Sequence, residues 1–168
     1  MIAPDVDRPD TPLVASERQM LEAFLDFHRA TLLRKCAGLT DEQLKMRACP
    51  PSALSLLGLV RHLTDVENGW FGVFDGRMAP RYATDEKPDG DFGAVDDADA
   101  AADLAAFHSE WARSKQTLAK YTLDDSDSDS QGKVYSLRWI YFHMLEEYAR
   151  HNGHADLLRE RIDGTTGE

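Results

Sequence analysis

Basic residues are scarce in this chain, cysteines are scarcer, and a long apolar run is missing altogether. Its 19 Lys and Arg residues are outnumbered by 30 Asp and Glu, which leaves a formal charge of −11. With no basic stripe or cluster, that balance argues against a nucleic-acid surface and against an anionic membrane as partner. Two cysteines, Cys36 and Cys49, do not make a disulfide framework, and their surroundings resemble no metal knuckle. Without about 20 consecutive apolar residues there is no membrane span. The N-terminus lacks the basic start and apolar centre of a signal peptide. These absences predict a cytoplasmic address with both thiols reduced.

What is present is helical. The 168 residues, 42% hydrophobic, suffice for one domain with a core. Residues 1–12 are rich in Pro and Asp and read as a flexible, extended arm. Ser16 is placed to cap a first helix carrying Leu21, Phe24, Leu25, His28 and Leu32, and Gly38 is placed to end it. Thr40 and Gln43 form a capping-box pattern for a short helix up to about residue 47. A second long helix is expected over about 55–74 and a third over about 99–121. The fourth runs from about Ser136 to Ile162, stopped by Gly164. Residues 76–97 read as a long connection of the kind that is often functional or mobile. No strand pattern is evident, which predicts an all-α four-helix bundle with long loops, a single domain over residues 13–164.

The acidic tract 124–130 places Asp125, Asp127 and Asp129 like the first ligands of a calcium loop. Such a loop needs glycine at its sixth place and glutamate at its twelfth, where this chain has Ser130 and Ser136. The tract therefore reads as a solvated acidic loop.

Chemistry is concentrated in the last helix. Glu147 and His151 are four residues apart, so their Cβ atoms stand about 5–6 Å from each other on one face. That separation lets a carboxylate and an imidazole share one divalent ion. With His143 at zero on a helical wheel, Glu147 lies at about 40°, His151 at about 80° and His154 at about 20°. Ile140 and Leu158 fall at about 60°, flanked by Trp139, Met144 and Leu157, so the polar stripe sits within the apolar face. His62 points the same way as Ser55, Leu59, Val66 and Val73 on the second helix. Buried imidazoles and a carboxylate need partners. A metal ion and a hydrogen-bonded His/Glu cluster both meet that need, and the order of residues is not the His-Glu-x-x-His of zinc proteases. His28, His108 and His143 are better read as core or surface residues, with His143 also in reach as an outer hydrogen-bond donor. Glu146 and Arg150 read as an exposed i,i+4 ion pair.

Residues 54–63, followed by Glu67 and Trp70-Phe71, resemble the second helix of DinB-like proteins. The run 136–140, with His143-Met144 and residues 146–156, is similar to the same group, above all to an actinobacterial branch labelled mini-circle protein. The resemblance covers roughly residues 13–164. It implies a DinB/YfiT-type four-helix bundle, commonly a homodimer, that holds a divalent ion through one ligand from the second helix and two from the last. The matching positions are His62, Glu147 and His151. Many relatives carry three histidines there, whereas mycothiol-dependent maleylpyruvate isomerases are similar to this chain in having a His-Glu-His set.

Three protein ligands leave a coordination position open, as in catalytic zinc sites; non-haem iron, nickel and manganese also suit such donors. The resemblance implies a low-molecular-weight thiol, mycothiol or a related one, activated as thiolate to attack a small electrophile in S-transfer or isomerisation. Two alternatives use the same ligands: hydrolysis of a small substrate by metal-bound water, and a stress-associated protein that binds metal without turnover.

Overall fold

In the computed structural model, which describes residues 1–166, helices dominate and a single two-stranded hairpin is the only sheet among the described residues. The long helices are α1 (Glu17–Cys36), α3 (Leu56–Phe71), α5 (Ala100–Leu118) and α6 (Leu137–Asp163), with short helices α2 (Asp41–Lys45) and α4 (Gly90–Gly93). Their ends follow local chemistry. Ser16 and Gln19 exchange the two hydrogen bonds of a capping box, as do Thr40 and Gln43. Ser55, Asp99 and Ser136 cap α3, α5 and α6 through their side-chain oxygens. Gly164 ends α6 in the left-handed conformation, φ 78°, which a residue without Cβ adopts freely.

α1 packs on α6, α3 packs on both α5 and α6, and α1 meets α3. Leu25, Leu57, Leu63, Phe71, Phe107 and Ile140 fill the space between them. At its centre Arg29 of α1 and Glu67 of α3, both almost fully buried, form a two-pronged ion pair at 2.6 and 2.7 Å. Tyr148 of α6 donates to Glu67 at 2.9 Å, and Asp26 of α1 accepts from Arg29 and from the Trp111 indole of α5. One polar network thus ties together all four long helices. Burial raises the Tyr148 hydroxyl pKa well above its ordinary value, aided by the Glu67 charge.

Three expectations change. The acidic tract is not simply a solvated loop: Ser126–Ser128 (β1) pairs antiparallel with Val134–Ser136 (β2), Asp127 opposite Tyr135. These strands are too short and too polar to show alternation, and their turn is held by Asp129, whose carboxylate accepts from the Gln131 and Lys133 amides. Residues 76–97 are ordered as well. The Asp65 carboxylate of α3 accepts from the amides of Arg81, Tyr82 and Ala83, and α4 lies within this segment. Finally, Trp139 and Leu157, expected beside the core stripe of α6, are exposed, while Ile140, Met144 and Leu158 are buried.

The N-terminal arm is extended, and Ala3 is buried where it exchanges backbone hydrogen bonds with Gly38 and Leu39. No helix among the described residues is long and apolar enough to cross a membrane.

Candidate metal centre

Residues 62 on α3 and 147 and 151 on α6 come together where these helices cross. One ligand atom each from His62, Glu147 and His151 lies within 4.8 Å of the other two. His151 Nε2 is 3.5 Å from Glu147 Oε2. Donors at 2.0–2.2 Å from a tetrahedral ion are about 3.4 Å apart, so this edge already has the required length. The His62 and His151 rings meet edge to face with centroids 4.7 Å apart. The Glu147 side chain is only 14% exposed, and its nearest partners, Arg150, His151 and His143, stand at 3.5 to 3.9 Å. These contacts are longer than good hydrogen bonds, so the carboxylate can still take a closer partner. A divalent cation fits that donor set.

Each histidine is held from its far side. His62 Nδ1 lies 2.9 Å from Asp91 Oδ2, and the Asp91 carboxylate is buried. His151 Nδ1 lies 3.3 Å from His154 Nδ1. Both contacts leave Nε2 as the nitrogen turned to the site. Asp91 was not visible as a site residue in the sequence, where it is one of many acidic residues in the 76–97 connection. Its position is set by close backbone approaches. A Cβ on Gly58 would come within 2.7 Å of the Phe92 ring, and one on Gly90 within 2.0 Å of the Tyr82 carbonyl oxygen. Gly58 lets α4 sit directly against α3, where Phe92 packs on His62 at 5.2 Å, and Gly90 lets the start of α4 close on the Tyr82 backbone.

The remaining histidines divide as follows. His143 is packed between Trp70 and Trp139, and its Nε2, 3.9 Å from Glu147, makes no hydrogen bond there. His28 is half-buried against Asn152 on the opposite side of α6, and His108 is exposed. Glu146 and Arg150 form the ion pair expected of them.

Burial, and then the neighbouring His62, push the His151 pKa from 6.5 down to about 4. Folding therefore favours the neutral ring. In metal-free protein the unfolded chain takes up a proton as pH falls below 6.5 while the folded chain does not, until about pH 4. The metal-free wild type is expected to lose stability through this window relative to His151→Asn, with no such difference between them in slope above pH 7. Urea midpoints measured from pH 8 to 4.5 check this.

An open cleft of about 490 Å³ begins at His62 and Asp91 and runs along α3 past Trp70, walled by Tyr135 of the hairpin. Its size suits a small molecule. No curated protein and no solved structure matches the chain. The model of the mycothiol-S-transferase family, a DinB-like family, matches residues 20–164. The match takes in both helices that build the site, so the chain belongs to the mycothiol-S-transferase family.

Proposed function

We propose that this protein is a metal-dependent S-transferase or isomerase that joins mycothiol, or a related low-molecular-weight thiol, to a small electrophile. The observation that carries the reading is the convergence of His62, Glu147 and His151 beside an open cleft, in a chain of this family. In the same reading the four long helices are the DinB-type bundle, residues 13–164 are its single domain, and the setting is cytoplasmic. A homodimer is supported by the apolar patch of Met20, Phe24, Phe142 and Leu145 across α1 and α6, where Phe24 is 40% and Phe142 55% exposed.

His62, Glu147 and His151 would hold the ion, with zinc the first choice among divalent metals. Bound there with a position open, it supplies a lowered thiol pKa and so a thiolate at neutral pH. The chain's own residues do the rest. Asp91 accepts the Nδ1 proton of His62, which fixes the tautomer and aims Nε2 inward. Glu147 offsets part of the ion's charge. Along the α3–α6 seam His143 stacks on Trp139 and meets the Trp70 ring edge to face, which gives the site an aromatic border on that side. In transfer, the thiol gives up its proton to solvent water, its sulfur bonds the electrophilic carbon, and the leaving group departs with the bonding pair. In isomerisation, the sulfur adds and is expelled again after rotation.

Asp91→Ala is expected to weaken metal binding about 10- to 100-fold, the range for loss of a carboxylate behind a ligating histidine. Competition with a chromophoric chelator measures this, and an unchanged circular dichroism spectrum shows that the fold persists. The function itself is tested by incubating metal-loaded protein with mycothiol and monochlorobimane, and separately with simple esters. Metal-dependent conjugation supports the S-transferase. Ester turnover without thiol would replace it with a hydrolase, and inactivity in both with a metal-binding protein.

A further inference from the structure

The cleft beside the metal centre has a definite chemical character. On α3 it is lined by one helical stripe, His62, Val66, Gly69 and Trp70, continued by Val73 in the turn just after the helix. Met78 from the 76–97 segment and Tyr135 from the hairpin close the sides, and the Trp70 and Tyr135 rings meet edge to face at 5.3 Å. Three carboxylates line it, those of Asp65, Asp91 and Asp129. Each is fixed by hydrogen bonds: Asp65 by three loop amides, Asp91 by His62, Asp129 by two hairpin amides and the Tyr135 hydroxyl. No lysine or arginine is among the residues that line it. Lys133 lies over the Tyr135 ring at 5.1 Å, and Arg150 pairs with Glu146 and Glu147.

Gly69 adds an independent observation. A glycine inside a helix costs stability relative to alanine, about 0.5–1 kcal/mol. A Cβ built on Gly69 would meet nothing within 4 Å. The missing side chain leaves open space in the cleft wall beside Trp70.

We propose that this cleft is the seat of the electrophile, and that it takes a flat, uncharged or cationic molecule and rejects carboxylates and phosphates. The inference rests on the S-transferase reading for the name of the ligand, but its physical content is binding. Aromatic faces and apolar side chains accept a planar ring. Beyond the metal end, an anion would have to shed water beside the Asp65 and Asp129 carboxylates with no lysine or arginine in the lining to pair with.

The test uses zinc-loaded full-length protein without thiol and a matched pair of probes, 1-chloro-2,4-dinitrobenzene and 4-chloro-3,5-dinitrobenzoate. Quenching of the three tryptophans reports binding. The uncharged probe is expected to bind at least about tenfold more tightly than the carboxylate, in keeping with the cost of like-charge juxtaposition. Gly69→Phe, which fills the cleft, is expected to weaken the uncharged probe by at least about tenfold, a factor that loss of a single ring-sized contact area supports. Zinc content should be unchanged and the melting temperature should not fall in that variant. Equal or tighter binding of the carboxylate, or undiminished binding to Gly69→Phe, would overturn the proposal. So would binding of neither probe by protein that holds its zinc. Zinc analysis of the same samples keeps the two readings apart: failure of the metal site appears as lost zinc, failure of the cleft as lost binding with zinc retained.

Discussion

His62→Ala and His151→Ala are each expected to abolish retention of a divalent ion through gel filtration, whereas the wild type retains about one per chain, as a single three-ligand site requires. The effect is large because each histidine is one of only three donors. Loss of a residue merely supporting a ligand costs 10- to 100-fold, so loss of the ligand itself should exceed about 100-fold in affinity. The two variants remove different things. His62→Ala also leaves the Asp91 carboxylate buried without its imidazole partner, so it is expected to lower the melting temperature more than His151→Ala does. Metal analysis with parallel thermal melts checks both statements. Full metal in both variants would dismantle the proposed site.

Glu67→Ala should be the most destabilising single change in the helical core. It leaves the buried Arg29 guanidinium without its two-pronged partner, with Asp26 as its remaining counter-charge, and removes the acceptor of the Tyr148 hydroxyl. Breaking one side of a buried ion pair costs about 3–5 kcal/mol. For a domain of this size that corresponds to a fall of roughly 6–20 °C in melting temperature. The pair is not needed for stability as such, because well-packed apolar replacements of buried pairs are often neutral. Arg29→Met combined with Glu67→Leu is therefore expected to recover most of the loss. Thermal and urea melts of the single and double variants measure the difference. A double variant as unstable as the single would mean that the network's geometry, and not the stranded charge, is what matters.

The helices were legible because their signals are local. A capping serine, a three- and four-residue apolar rhythm and a terminal glycine lie within one turn of the boundary they set, and Ser16, Ser55, Ser136 and Gly164 all stand where such rules put them. Glu147 and His151 were legible as a pair for the same reason, since i,i+4 neighbours share a face whatever the rest of the chain does. His62 is 85 residues upstream of Glu147, and helical phase could say only that it faces inward. Its place beside that pair came from the family resemblance, and the structure brings the three side chains together.

What was not legible depends on distant contacts or on backbone chemistry. Asp91 became a partner of His62 because Gly58 lets α4 lie against α3 and Gly90 lets α4 close on the Tyr82 backbone. The Arg29–Glu67 pair spans 38 residues and carries no periodic mark. The hairpin strands are three residues each, below the length at which alternation can show. The cleft escaped notice because its distinctive feature, Gly69, is the absence of a side chain within an ordinary helix.

The most direct measurement is the rate of mycothiol conjugation to monochlorobimane as bound metal is withdrawn stepwise by a chelator and then restored. The expected rate is proportional to metal occupancy, falling to the uncatalysed background in stripped protein and returning on reloading. Background rates are expected in His62→Ala and His151→Ala at every metal concentration that leaves the wild type saturated. Conjugation that persists in fully stripped wild-type protein, or that survives in both variants, would contradict that expectation.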